Sequence, residues 1–249
     1  MPYSILATAK TPALIIYLLD VSASMTQPLG NKRRIDIVTE ALTTALRQMV
    51  FRSTKGVRIS PRYRIAMLAY SDHVYDLLDG VKSVDQVAGL GVPELSPLRT
   101  TETAKAFSQA EKLLQAEWPS LQNGPAPLIC HMTDGEFTGP DPQPIAHRIM
   151  QRSLPDGNVL VENIFISDKI LSQPIKDVST WPGILPHTPL NSDYAAKLRS
   201  MSSPIPDSYR EMMLENSYRI GAEAVMLLPG VNSELVAMGF QMSAATPTR

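Results

Sequence analysis

Asp20, Ser22 and Ser24 place oxygen-bearing side chains at every second position, directly after the apolar run Leu14-Ile15-Ile16-Tyr17-Leu18-Leu19. A carboxylate and two small hydroxyls are hard donors, suited to Mg²⁺ or Mn²⁺ rather than to a soft metal. Two further fragments carry the same chemistry: Thr100-Thr101-Glu102-Thr103 and Thr133-Asp134-Gly135-Glu136. Asp72 and Asp141 add carboxylates in turns nearby in the pattern. Each fragment alone reads as a turn with capping residues. They become one site only if the fold gathers them.

The apolar run 14–19 shows no polar alternation, as expected of a central strand of a parallel sheet buried on both faces. Ile35, Val38, Leu42, Ala45, Leu46 and Met49 recur at helical spacing and predict a helix over 33–51. Strands are expected at 63–70, 127–132, 158–166 and 222–228, and an antiparallel edge strand at 74–78 follows the turn Ser71-Asp72-His73. Helices are expected at 101–118, from Pro144 to about 152, at 192–201, 207–218 and 233–239. Segment 167–190 carries Pro174, Pro182, Pro186 and Pro189, too many for a helix or central strand, and reads as an ordered surface insertion anchored by Trp181. The expected architecture is α/β: a Rossmann-like, doubly wound, mostly parallel six-stranded sheet with one antiparallel edge strand and helices on both faces. Residues 1–12 form a lead-in, 13–242 a single domain, and 243–249 a mobile tail. Right-handed crossovers place the loops after all parallel strands on one edge of such a sheet, which would bring the three polar fragments together.

In order, spacing and context these fragments resemble the von Willebrand factor A domain family and its metal-ion-dependent adhesion site. The matching pieces are Asp20-Val21-Ser22-Ala23-Ser24, Thr101-Glu102-Thr103 and Thr133-Asp134-Gly135, and the resemblance extends over 14–240. It implies that Asp20, Ser22, Ser24, Thr101 and Asp134 hold Mg²⁺ (or Mn²⁺, or Ca²⁺), some through water. An open coordination position would then accept an Asp or Glu carboxylate from a partner protein. By the same resemblance the chain is a bacterial-type, stand-alone intracellular scaffold or adaptor rather than an enzyme. Such members work with AAA+ ATPases of the MoxR type, with metal chelatase complexes, or with kinase–phosphatase modules. Ser96-Pro97-Leu98-Arg99 stand where many members carry glycines. Glu136 and Asp141 read as surface turn residues, or as support for the site from outside the ligand set. The alternative is a hydrolase or phosphoryl-transfer enzyme using the same ion, with Glu136 or Asp72 as its general base.

Other functions are excluded by what the chain lacks. Across 249 residues the net charge is −1 and the charges are mixed, which gives no reason to expect nucleic acid or an anionic membrane as partner. Lys32-Arg33-Arg34 reads as a solvated helix start, and Arg58, Arg62 and Arg64 as a basic loop. The single cysteine, Cys130, rules out a disulfide within the chain and is expected as a buried thiol. With no secretory signal and no span-length apolar segment, a cytoplasmic location is expected. There is no P-loop, and Gly89-Leu90-Gly91 lacks the third glycine of a dinucleotide fingerprint. Ser22 occupies the place of the second aspartate of a haloacid-dehalogenase phosphatase, and no serine sits in a nucleophile elbow. The histidines are scattered, and His131 is expected to be a satisfied core residue.

Overall fold

Strand β1 (Ala13–Asp20) is buried at every residue and lies between parallel neighbours on both sides. The computed structural model describes residues 2–167 and 170–248. Pairing partners of β1 are β2 (Tyr63–Tyr70), which is followed by the short antiparallel strands β3 (Val74–Asp76) and β4 (Lys82–Ser83), and β5 (Leu128–Thr133). Beyond β5 come β6 (Leu160–Phe165) and β7 (Leu227–Pro229), both parallel. The order is β7-β6-β5-β1-β2-β3, with β4 also on β2. The sheet is therefore mostly parallel, as expected. It has seven strands rather than six, because Lys82–Ser83 pairs with the start of β2 beside the expected antiparallel edge.

The two faces of β1 are covered by different helices, because side chains alternate along a strand. Ile15, Tyr17 and Leu19 face α1 (Arg34–Ser53), α2 (Val84–Leu90), α6 (Asp207–Glu215) and α7 (Ser233–Ser243). Leu14, Ile16 and Leu18 face α3 (Thr103–Glu117) and α4 (Gln143–Met150). Segment 167–190 packs with α5 (Asp193–Ser200) over the outer end of the sheet: Ile170 and Ile184 join Phe165, Leu227 and Leu198 in a third cluster, against which Trp181 is half-buried. Residues 168 and 169 of that segment lie outside the described residues.

Two expectations differ from the structure. The last strand covers Leu227–Pro229 rather than 222–228, since Val225 instead makes isolated bridges to Ile184 and Pro204. The segment expected as a mobile tail is packed. Ser243, Ala244, Ala245 and Thr246 are buried, Thr248 bridges Ala7, and Arg52 Nη2 donates to the Thr246 carbonyl at 3.0 Å. The lead-in is pinned as well, its Ser4 and Ile5 amides donating to the buried Asp156 carboxylate at 2.9 Å. Both ends carry backbone groups that find partners only when the chain is folded, and short apolar or polar runs do not announce that.

Helix α7 approaches β6 through Gly239, where an added Cβ would lie 2.7 Å from Ile164 Cδ1. Overpacking of this kind costs about 1–3 kcal/mol. Gly239→Ala is expected to lower the melting temperature, and Gly239→Ala with Ile164→Ala to lose less than the two single losses combined. Thermal melting of the three variants measures this; strict additivity would mean that the helix adjusts without pressing on β6.

Candidate metal centre

Asp20 ends β1, and its neighbours fix the carboxylate in place. The Ser22 amide donates to Oδ1 at 2.8 Å, closing an Asx-type turn, and the Thr133 hydroxyl at the end of β5 donates to Oδ2 at 2.7 Å. Because β1 and β5 are in register up to Leu19 and Met132, Asp20 and Thr133 emerge level at the same sheet edge. The chain then makes one 3₁₀ turn, Ala23–Thr26, whose fully buried Met25 anchors the loop in the core. That anchor holds Ser22 and Ser24 at the edge, with their hydroxyls 3.0 Å apart.

Ser24 donates to Asp134 Oδ1 at 2.6 Å, joining loops 110 residues apart. Its one proton is committed there, so Ser22 is the donor between the two serines. Asp134 Oδ2 accepts from Arg34 Nη1 at 2.7 Å. The line of contacts runs unbroken from Ser22 through Ser24 to Asp134, and Asp20 is tied into it by the Ser22 amide. Burial pushes the Asp20 carboxyl up from the ordinary aspartate range to about 6; hydrogen bonds from Thr133 and Ser22 oppose the rise, and the neighbouring charge of Asp134 adds to it. Two carboxylates are thus held together in a shielded spot, and that arrangement attracts cations.

Thr101 reaches the same edge through its backbone. The Leu98 amide donates to the Val21 carbonyl at 2.6 Å, and the Glu102 amide to the Ser71 carbonyl at the end of β2 at 2.8 Å. On its other side Thr138, in the loop after β5, donates its amide to the Thr101 carbonyl at 2.8 Å and accepts from the Thr101 amide at 3.2 Å. That loop passes so close that a Cβ on Gly139, at φ +112°, would lie 2.9 Å from Glu102 Oε2. Ser96-Pro97-Leu98-Arg99, which replaces the expected glycines, is accommodated by the contact with Val21. Among the described residues the cluster draws on two carboxylates and otherwise on hydroxyls, and no three His, Cys, Asp or Glu side chains converge on a common point.

The outlying carboxylates do not join this network. Glu136 is exposed. Asp72 is exposed and pairs with His73 at 3.1 Å. Asp141 is bound by Lys197 at 2.5 Å, and the hydrogen bond from that ammonium holds its carboxyl below the ordinary range. The basic run at the start of α1 divides: Lys32 and Arg33 pair in solvent with Glu40 and Asp36, whereas Arg34 turns inward to Asp134. Sequence reading misses Arg34, since nothing in a three-residue basic run tells which member faces a loop a hundred residues on. It also passes over Thr138 and Ser71, which staple the threonine loop through ordinary turn contacts. His131 is a satisfied core residue as expected, held between Tyr70 Oη and Asn163 Oδ1 at 2.7 Å each, and burial pushes it down to about 4.

A mostly parallel sheet flanked by helices, with a hydroxyl-rich acidic cluster at its carboxyl edge, defines an α/β domain of the doubly wound class. Residues 15–136, just under half of the chain, match the model of the von Willebrand factor type A domain. No curated protein sequence matches it. Among solved structures it is similar to an aerotolerance-related membrane protein from Bacteroides fragilis, at 14% identity over 76% of this chain and 86% of that one, with a TM-score of 0.49. Proximal thread matrix protein 1 from the mussel byssus matches at 20% identity and a TM-score of 0.45, over 64% of this chain and 39% of that one. The manganese-loaded TRAP protein of Plasmodium vivax matches at 17% identity and a TM-score of 0.44, over 65% of this chain and 59% of that one. This chain therefore spans well under half of the byssus protein it matches. No helix among the described residues is long and apolar enough to cross a membrane.

Proposed function

We propose that Asp20, Ser22, Ser24, Thr101 and Asp134 hold a divalent cation, Mg²⁺ or Mn²⁺ with Ca²⁺ as a further candidate, and that the chain binds a partner protein through this ion. The reading is carried by the continuous polar line Ser22–Ser24–Asp134, closed at 3.0 Å between the two serines of one turn and at 2.6 Å between loops 110 residues apart. Hard neutral hydroxyls beside two carboxylates suit Mg²⁺, which keeps several waters and takes few protein ligands. So few negative ligands leave the ion electrophilic, and an Asp or Glu side chain of the partner completes its coordination. A hydrolytic role would need a base at the ion, and neither Glu136 nor Asp72 is hydrogen-bonded to the cluster. We therefore read the site as one that binds.

Thermal melting with excess Mg²⁺ or Mn²⁺, against EDTA, tests the site. Ligand at a hundred times its dissociation constant is expected to add about 2.7 kcal/mol, and an unchanged melting temperature would overturn the assignment. Immobilised chain should then retain proteins from a cell extract in Mg²⁺ that EDTA elutes. Retention indifferent to EDTA would show that the ion is not the point of contact.

A further inference from the structure

We propose that Arg34 is a tethered cation that competes with the divalent ion for Asp134 and so sets the affinity of the site. The inference rests on the metal-binding reading above and concerns how that site is tuned. Arg34 is the first residue of α1, and its amide is held by the Gln27 carbonyl at 2.9 Å. Of the three basic residues at this helix start, it alone forms its ion pair inside the cluster. Its Nη1 lies 2.7 Å from Asp134 Oδ2; the Asp134 side chain is fully shielded, and that of Arg34 is 17% exposed.

Both oxygens of Asp134 are engaged, but by different chemistry. Ser24 supplies a neutral hydroxyl to Oδ1, and Arg34 a full positive charge to Oδ2. Each carboxylate oxygen accepts in two directions, so a hydroxyl and a metal share it readily. A guanidinium and a divalent ion on one shielded carboxylate repel each other strongly, because the surroundings screen them poorly. The arginine is also releasable. Its buried Nε has no hydrogen-bond partner among the described residues, so the guanidinium lacks the two-bond fork that locks an arginine to a carboxylate. Its partial exposure gives the head group a short path to solvent. An ion that binds must displace or weaken this pair, and its apparent affinity falls accordingly.

Calorimetric titration of the full chain with Mg²⁺ and with Mn²⁺ tests the proposal on wild type, Arg34→Met and Arg34→Lys. Arg34→Met keeps the length without the charge and is expected to bind at least about tenfold more tightly, the scale on which one adjacent charge shifts a carboxylate's affinity for a cation. Arg34→Lys restores the charge and is expected to stay within a few-fold of wild type. In EDTA the Met variant is expected to melt below wild type, since Asp134 loses its partner, and to gain more on saturation with Mg²⁺. Should it fail to fold, Arg34→Gln makes the same comparison. Wild type that binds while the Met variant binds equally or more weakly would overturn the proposal and leave the metal site standing, with Arg34 as a support for Asp134. Binding by neither would overturn both, because removal of the competing charge should give the tighter site.

Discussion

Asp20→Asn is expected to lose the entire metal-induced gain in melting temperature while melting at or above wild type in EDTA at pH 7 to 8. The amide can still accept from the Ser22 N–H and face the Thr133 hydroxyl, the two bonds that hold the carboxylate. The charge that attracts the ion is what it removes. Burial raises the wild-type carboxyl from 3.8 to about 6, so ionising it inside the fold costs about 3 kcal/mol relative to the unfolded chain. The folded state holds this proton more tightly than the unfolded state. Its contribution is therefore fully present below the ordinary aspartate range and is lost as pH rises to about 6, with no further change above that. With Mg²⁺ present the trend reverses, since proton and metal compete for the same oxygens and binding strengthens as pH rises through about 6. Melting curves from pH 4 to 8, in EDTA and in Mg²⁺, check both slopes. A full metal increment in Asp20→Asn would remove Asp20 from the ligand set.

Glu162→Gln is expected to stabilise the protein increasingly as pH rises. Glu162 lies mid-strand on β6, opposite Cys130, and is fully buried. Neither carboxyl oxygen has a conventional hydrogen-bond partner among the described residues, and the Cys130 thiol is the one group that assists the charged form. Burial pushes its carboxyl well above the ordinary glutamate range. The folded state again holds the proton more tightly, so stability falls by about 1.4 kcal/mol per pH unit from the ordinary range up to the folded value. Gln has no such slope. Its own buried amide costs a constant amount, so the readout is the change with pH rather than the offset. Urea unfolding of both proteins at pH 5, 6, 7 and 8 measures it; parallel pH profiles would mean that Glu162 ionises without cost.

The position of β1 was legible because an uninterrupted apolar run ending in a carboxylate has few other readings. Once β1 is central and the strands around it parallel, the loops bearing Ser22, Ser24, Thr101 and Asp134 must leave by one edge. The helices followed from apolar residues at three- and four-residue spacing. The extra strand at Lys82–Ser83 carries no such mark, since two residues cannot display a period. Glu162 sits within a segment that reads as a buried strand, but strand propensity does not reveal that its carboxyl finds no conventional partner.

Types and spacing of residues by themselves determined the mostly parallel sheet and its central strand, because backbone hydrogen bonding and burial repeat every two or 3.6 residues and leave that period in the chain. Only the tertiary structure decided that Arg34 pairs with Asp134 while Lys32 and Arg33 face water, and that residues 243–248 dock rather than trail. These outcomes depend on which loops and termini meet across the folded surface. No local period records such meetings.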